Sequence, residues 1–411
     1  MLSAASKKAA GGQTGAKPKY EVAHIFQKYG KSYLQSYRLS PVQFKVMHDI
    51  LVCRTANLGG HIEKCNRCGI EKNAYNPCRN RHCPKCQTLR KEQWLIDRGR
   101  ELLPVSYFHN VFTLPHEINP IALVNKKVIF DILFKAVSDT LQTFAHDPKH
   151  KLKGQLGFIA VLHTWNQTLL DHIHLHCLIP AGALSSNRKR FNAGPKNFLF
   201  PVKALSKVFR GKFIDALKKA YTENKLIFPG RTIEIQSRQG FSDLINQLYK
   251  KEWVVYSKKP FAGPKQVLAY LGRYTHRIAI SNNRILSINN GSVSFAYKDR
   301  SNNDTRKTMS LKANEFIRRF LIHTLPKGYT RIRHFGFLAN RNKIQNITTV
   351  RTLLNITPNL PKKMKKTFQE MMFHLTGVDV TLCPHCKKGR MVFLKDVIKV
   401  KTNTFLFFDS S

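Results

Sequence analysis

The sequence predicts an α+β fold with a small cysteine-rich, zinc-binding domain ahead of it, and three observations carry that expectation. From Ser106 onward, segments with apolar residues at helical spacing alternate with short segments of period two. Cysteines recur at Cys-x-x-Cys spacing, first at Cys65 and Cys68 and again at Cys83 and Cys86. The chain has 411 residues, 42% of them hydrophobic, enough to bury cores for two or three domains.

Residues 1–20 are small, polar and basic and read as a flexible tail. Residues 21–50 show helical spacing broken near Pro41, so two helices are expected there. The cysteine-rich stretch follows, then a helix over 89–103 that ends before Pro104, closing a helical and zinc-binding DNA-binding domain over 21–103. Residues 104–285 read as an α+β domain: strand (106–114), helix (122–145), strands (156–165 and 172–180), helices (205–223 and 241–251), strand (253–257) and helix (264–276). An extension over 286–345 carries Asn290-Gly291 turn chemistry and a helix at 313–325, and residues 346–411 form a basic C-terminal region with a Cys-x-x-Cys knuckle.

Lys and Arg number 69 against 24 Asp and Glu, a net charge of +45 at pH 7. So cationic a chain repels itself unless it works beside a polyanion, and nucleic acid is the expected partner. No apolar run approaches the roughly 18 residues that span a bilayer, and the N-terminus has no secretory apolar segment, so a cytoplasmic protein without a membrane partner is expected. There is no GxxxxGK[ST] loop, which argues against a nucleotide cofactor.

Clustered cysteines in a reducing compartment favour metal thiolates over disulfides. Cys65, Cys68, Cys83 and Cys86 form two knuckles of the kind that surround one tetrahedral Zn²⁺, with Gly69 and Pro84 suited to such tight turns. Cys53, His61, Cys78 and His82 could be ligands of a second, interleaved zinc; the alternative is that Cys53 is a small buried hydrophobe and His61 and His82 are ordinary polar residues. Closed sites of this kind leave no position for substrate; their work is folding and the presentation of Arg79, Arg81, Lys85 and Arg90 to nucleic acid. Cys383 and Cys386 have no second knuckle near them in sequence, so either His374 and His385 complete a site there or it is free of metal.

In the run from His172 to Cys177, a period of two sends His172, His174 and His176 to one face of a strand and Ile173, Leu175 and Cys177 to the other. The apolar side, Cys177 included, belongs to a core. The histidine side faces a helix-free cleft where two rings can hold a divalent ion and leave positions open for a phosphate oxygen, although histidines that are merely buried or solvated give the same pattern. Tyr270 and Tyr274 share a helix face at i, i+4. Such pairs commonly just pack, but Arg273, His276 and Arg277 make this a poor core face. A phenol, with a pKa of about 10, needs a nearby cation, metal or base to attack at neutral pH.

In chain order, VFTLPHE (111–117), HIHLHC (172–177) and YLGRY (270–274) resemble the three motifs of HUH-superfamily nickases: an upstream strand, a His-hydrophobe-His metal pair and a nucleophilic tyrosine. Over about residues 40–345, GGHIEKCNRCG, YNPCRNRHCPKCQ, LHTWNQTLLDHIHLHCLIPAG and RIRHFGFLANRNK are similar to the two-tyrosine rolling-circle transposases of the insertion-sequence-91 type. The resemblance implies that residues 104–285 are an HUH-like catalytic domain, an antiparallel sheet with flanking helices that 286–345 extends, with His174 and His176 as the metal pair and Tyr270 and Tyr274 as nucleophiles. The third ligand is open among His163, Gln167 and His116, and His172 is left over. It further implies nicking and rejoining of single-stranded DNA at the ends of a mobile element through a 5′-phosphotyrosine, with Mg²⁺ or Mn²⁺ at the histidines, structural Zn²⁺ at the cysteines, and Arg79, Arg81, Arg273 and Arg277 on DNA. A plasmid replication initiator or relaxase of the same chemistry, or a zinc-ribbon DNA-binding protein without catalysis, would share many of these features. An RNase-H-like transposase would need three converging carboxylates, which cannot be assigned in this acid-poor chain.

Overall fold

The computed structural model describes residues 18–399 except 196, 198, 262–265, 268, 269, 271, 273, 274, 300, 301, 358, 359 and 361–365. Arg273 and Tyr274, most of the tail expected over 1–20 and much of the helix expected over 264–276 lie outside the described residues.

Helices α1 (Val22–Ser36) and α2 (Pro41–Leu51) are separate because Pro41 sits at the first position of a new helix, where its missing N–H costs nothing. Ser40 caps that helix by accepting the Gln43 N–H, and the Gln43 side chain accepts the Ser40 N–H in return. Strands β1 (Gly60–Cys65) and β2 (Glu71–Tyr75) form a hairpin, and α3 (Gln87–Gly99) follows. After β3 (Tyr107–Thr113), the single helix expected over 122–145 is two, α4 (Asn119–Val124) and α5 (Lys126–His146). The break falls at Asn125, whose side chain donates to the carbonyls of Ile121 and Ile227 and accepts the Ile227 N–H.

The remaining elements are β4 (Gln155–Leu156), β5 (Phe158–Trp165), β6 (Asp171–Pro180), β7 (Gly182–Leu184), β8 (Phe191–Ala193), α6 (Val202–Thr222), α7 (Arg238–Lys250), β9 (Val255–Phe261), β10 (Ile285–Asn289), β11 (Ser292–Asp299), β12 (Thr305–Lys312), the helix Ala313–Ile322, β13 (Ile332–Phe335), the helices Lys343–Leu353 and Phe368–Thr376, and β14 (Met391–Val397). Five strands pair antiparallel in the order β13-β5-β6-β3-β9. One face of this sheet, with Phe112, Leu162, Ile173, Leu175 and Cys177, is buried against Leu133 and Val137 of α5 and Phe209 and Phe213 of α6. The fold is thus α+β, an antiparallel sheet with flanking helices beside a cysteine-rich N-terminal domain.

A second core joins parts of the chain far apart in sequence. Ile25 and Phe26 of α1 and Met47 of α2 meet Phe295 of β11 and Phe316 and Phe320 of the helix Ala313–Ile322, with Cys53 and Cys83 in the same cluster. Asn290 and Gly291, at φ of 46° and 71°, make the tight turn between β10 and β11 that the Asn-Gly pair predicts. Another sheet has the order β14-β1-β2, so the strand Met391–Val397 lies against the N-terminal hairpin. Among the described residues no helix is long and apolar enough to cross a membrane.

The acid at the start of the helix Ala313–Ile322 ties down two arginines of the same helix. Glu315 accepts from Arg318 at 2.7 Å and from Arg319 at 2.6 Å. The Arg318 bond, reinforced by Arg319 against the opposing effect of burial, lowers its carboxyl to about 2. Because the folded value is depressed, the stabilisation is complete above the usual value of 4.5 and disappears as pH falls through 2. Glu315→Gln is expected to cost about 1–2 kcal/mol at pH 7, after discounting for partial exposure. Denaturant melts at pH 7 and pH 3 check this: the gap between the two proteins narrows at the lower pH.

Candidate active site and metal centres

The face of the central sheet opposite α5 and α6 carries the histidines. Strand parity puts His174 and His176 of β6 there, and the β5–β6 register sets His163 directly across from His174. The ligand nitrogens of His163, His174 and His176 lie within 4.8 Å of one another, and all three residues are buried. His174 Nε2 and His176 Nε2 are 3.1 Å apart, close to the spacing of about 3.0 Å for two imidazoles bound at right angles at about 2.1 Å from one ion. The second nitrogens are fixed from behind: His174 Nδ1 meets the His172 carbonyl at 2.8 Å, and His176 Nδ1 meets His109 Nε2 at 2.9 Å. Burial, reinforced by the neighbouring imidazoles and Arg277, holds His176 well below its ordinary pKa, hence in the neutral form that binds metal.

His109, on β3, is the link to the tyrosine. Its Nδ1 is 2.6 Å from the Tyr270 hydroxyl, and the two rings meet edge to face at 4.7 Å. Tyr270 is 8% exposed. Burial, with Lys258 adding to it, pushes the His109 imidazole down to about 3. The end of the histidine face near Tyr107 and Leu178 is covered by Val267 together with Trp94 and Leu95 of α3, so the face is not helix-free along its whole length as expected.

The open end is a cleft of about 360 Å³ lined by His163, His172, His174 and His176 together with Arg277, Arg284 and residues 297–299 of β11. Arg277 therefore shares the cleft with the histidines. Of the other arginines expected on nucleic acid, Arg79 is exposed, whereas an Arg81 guanidinium N–H donates to the Tyr329 carbonyl inside the protein. Of the three candidates for third ligand, His163 joins the cluster, Gln167 lines the same cleft, and His116 is 81% exposed beside Glu117.

The cysteines group differently from the expected set. Cys53, Cys78, Cys83 and Cys86 form one cluster, and Cys65 and Cys68 join Cys383 and Cys386 in another. The hairpin is the reason. Cys65 and Cys68 lie at its tip, while the Arg54 N–H donates to Asn76 O at its base, and the length of β1 separates the two ends by about 17 Å. One ion cannot bridge that span. In the first cluster Cys53 Sγ is 3.5 Å from Cys86 and 3.6 Å from Cys83, and Cys78 is 3.7 Å from Cys86, near the roughly 3.8 Å edge of a tetrahedron with metal–sulfur bonds of about 2.3 Å. Neither expected histidine takes part: His61 Nε2 meets Glu63 at 3.3 Å, and His82 Nε2 lies 3.4 Å from the Leu325 N–H, with burial lowering its pKa to about 3.

Residues 25–114 match the family model "Transposase zinc-binding domain" and residues 157–345 the model "Putative transposase". Over 378 residues, 91% of this chain and 95% of the relative, the sequence is 47% identical to "Putative transposase y4qJ" of Sinorhizobium fredii. The chain is a transposase of the IS91 and IS801 type. The second of those names comes from "Transposase for insertion sequence element IS801" of Pseudomonas savastanoi pv. phaseolicola, 27% identical to this chain over 376 residues, 90% of this chain and 86% of the relative.

For this transposase, zinc binding by the N-terminal domain agrees with the four-cysteine cluster that lies wholly inside the matched segment. Sequence reasoning missed His109 altogether, and it joined Cys383 and Cys386 to no other knuckle. The usable signal for the latter was the likeness of Cys65-Asn-Arg-Cys68-Gly69 and Cys383-Pro-His-Cys386, two Cys-x-x-Cys turns each followed closely by glycine.

Proposed function

We propose that the transposase nicks and rejoins single-stranded DNA at the ends of its mobile element, with Tyr270 as an attacking group and His163, His174 and His176 as the holders of a catalytic Mg²⁺ or Mn²⁺. The observation that supports this reading most is the continuous chain of contacts from the Tyr270 hydroxyl through His109 to His176. A divalent ion at the three imidazoles would polarise a phosphoryl oxygen and offset the charge that builds on it. The protein's own part is positional and nucleophilic. His109 holds the phenol oxygen, and Arg277 supplies positive charge in the cleft that receives the strand. The tyrosine oxygen bonds to phosphorus as the bond to the 3′ oxygen breaks, the phenol proton ends on that oxygen, and the 5′ end stays on the enzyme. A 3′-hydroxyl can then reverse the step without ATP, since the phosphotyrosine keeps the phosphodiester's energy. Tyr274 is the second nucleophile by resemblance; two tyrosines allow one end to be held while another is cut. Cys53, Cys78, Cys83 and Cys86 would hold the structural zinc.

The decisive experiment is incubation with single-stranded element ends and Mn²⁺, followed by mass spectrometry of any covalent peptide. A phosphotyrosyl peptide at Tyr270 or Tyr274 is expected; an adduct at another residue, or none in active protein, rejects the assignment. Binding should also be steeply salt dependent: four phosphate contacts on a single strand imply an affinity loss of about 50-fold between about 50 and 200 mM salt. Fluorescence anisotropy checks this, and a flat response would mean that the +45 charge is not spent on DNA.

A further inference from the structure

We propose that Cys65, Cys68, Cys383 and Cys386 hold a second Zn²⁺, which ties the C-terminal strand of the chain to its N-terminal hairpin. Cys383 and Cys386 lie outside both segments matched by the family models, so the matched zinc-binding domain does not itself contain this site.

Four sulfurs converge on one point, which pairwise disulfides would not need. Cys65 Sγ is 3.7 Å from Cys386 Sγ and Cys68 Sγ is 3.6 Å from Cys383 Sγ, near the roughly 3.8 Å edge of a tetrahedral zinc thiolate. Backbone N–H groups already point at the sulfurs: those of Arg67 and Cys68 reach Cys65 Sγ at 3.4 Å, and that of Gly389 reaches Cys386 Sγ at 3.3 Å. Such donors favour thiolate over thiol. The two knuckles are also fastened to each other, Asn66 N–H to Arg390 O at 3.0 Å and Arg390 N–H to Asn66 Oδ1 at 2.8 Å. Gly389 permits the approach, since a β-carbon there would sit 2.5 Å from Cys65 Sγ.

The ion has structural work to do. β14 pairs with β1 from Gly60 to Cys65, yet Val392, Phe393 and Leu394 are largely exposed, so the strand brings little core of its own. Backbone pairing between segments more than 300 residues apart must offset a long loop closure, and a four-thiolate ion at the end of the ladder supplies what the missing apolar contacts do not. The site is independent of the tyrosine chemistry, and either can fail without the other.

Zinc is measured by mass spectrometry on the full-length protein purified without added chelator. Two zinc ions per chain are expected, falling to one in Cys383→Ser/Cys386→Ser, with limited proteolysis then releasing the C-terminal segment. One zinc in the unaltered protein, or two retained in a folded double variant, overturns the proposal. Should the variant not fold, differential alkylation of the unaltered protein decides. With zinc bound, Cys383, Cys386 and the solvent-exposed Cys68 should resist alkylation and react together after chelation. Free alkylation of Cys68 and Cys386 in the zinc-loaded protein overturns it.

Discussion

Tyr270→Phe is expected to abolish covalent DNA attachment at residue 270 and to lower complete strand transfer by about 10³-fold or more, while changing folding stability by only about 1 kcal/mol. The asymmetry follows from the geometry. The ring is 8% exposed and packed edge to face on His109, and phenylalanine keeps that packing. The substitution removes one oxygen whose hydrogen bond joins it to His109. Any adduct that survives should map to Tyr274, and Tyr270→Phe/Tyr274→Phe should give none. Undiminished adducts in the double variant, seen on denaturing gels, would remove both tyrosines from the mechanism. His109→Ala tests the positioning role separately: the cleavage rate should fall with little change in the affinity for DNA, whereas merely disturbed packing would shift the melting temperature first.

How much of this was legible in the sequence depends on the range of the interaction that fixes each feature. The α1–α2 break at Pro41, the Asn290-Gly291 turn and the burial of Cys177 are set within a few residues and were read correctly. Strand parity placed three histidines on one face, but parity cannot say which strand lies alongside. His163 became a ligand candidate of first rank only through the register of β5 on β6, and His109 came into view only through β3 on β6. The cysteine grouping failed for a related reason. Cys65 and Cys83 belong to adjacent knuckles in sequence, but the intervening hairpin sends one to its tip and leaves the other near its base. β12 was also missed: its solvent-facing residues Thr305, Arg306, Lys307 and Thr308 give no apolar alternation to read.

The choice among the histidines leads to the second large effect. His174→Ala/His176→Ala is expected to reduce metal-dependent cleavage by about 10³-fold or more, and His163→Ala to behave in the same direction, because each removes an imidazole from the only cluster of three that converges among the described residues. His172 shares their strand face but is exposed and stands outside the three-imidazole cluster; its carbonyl, which alanine retains, meets His174 Nδ1, and its ring lies 4.6 Å from the His174 ring. His172→Ala should therefore cost less than about threefold. Cleavage rates across Mn²⁺ concentration, with circular dichroism and zinc content as controls, separate the two outcomes. If His172→Ala were as damaging as the double variant, strand parity alone would be what matters and the three-histidine cluster would lose its meaning. If the double variant kept its activity in metal-depleted buffer, the charge building on the phosphoryl oxygens would have to be met by Arg277 and Arg284 in the cleft, and the histidines would be left with packing.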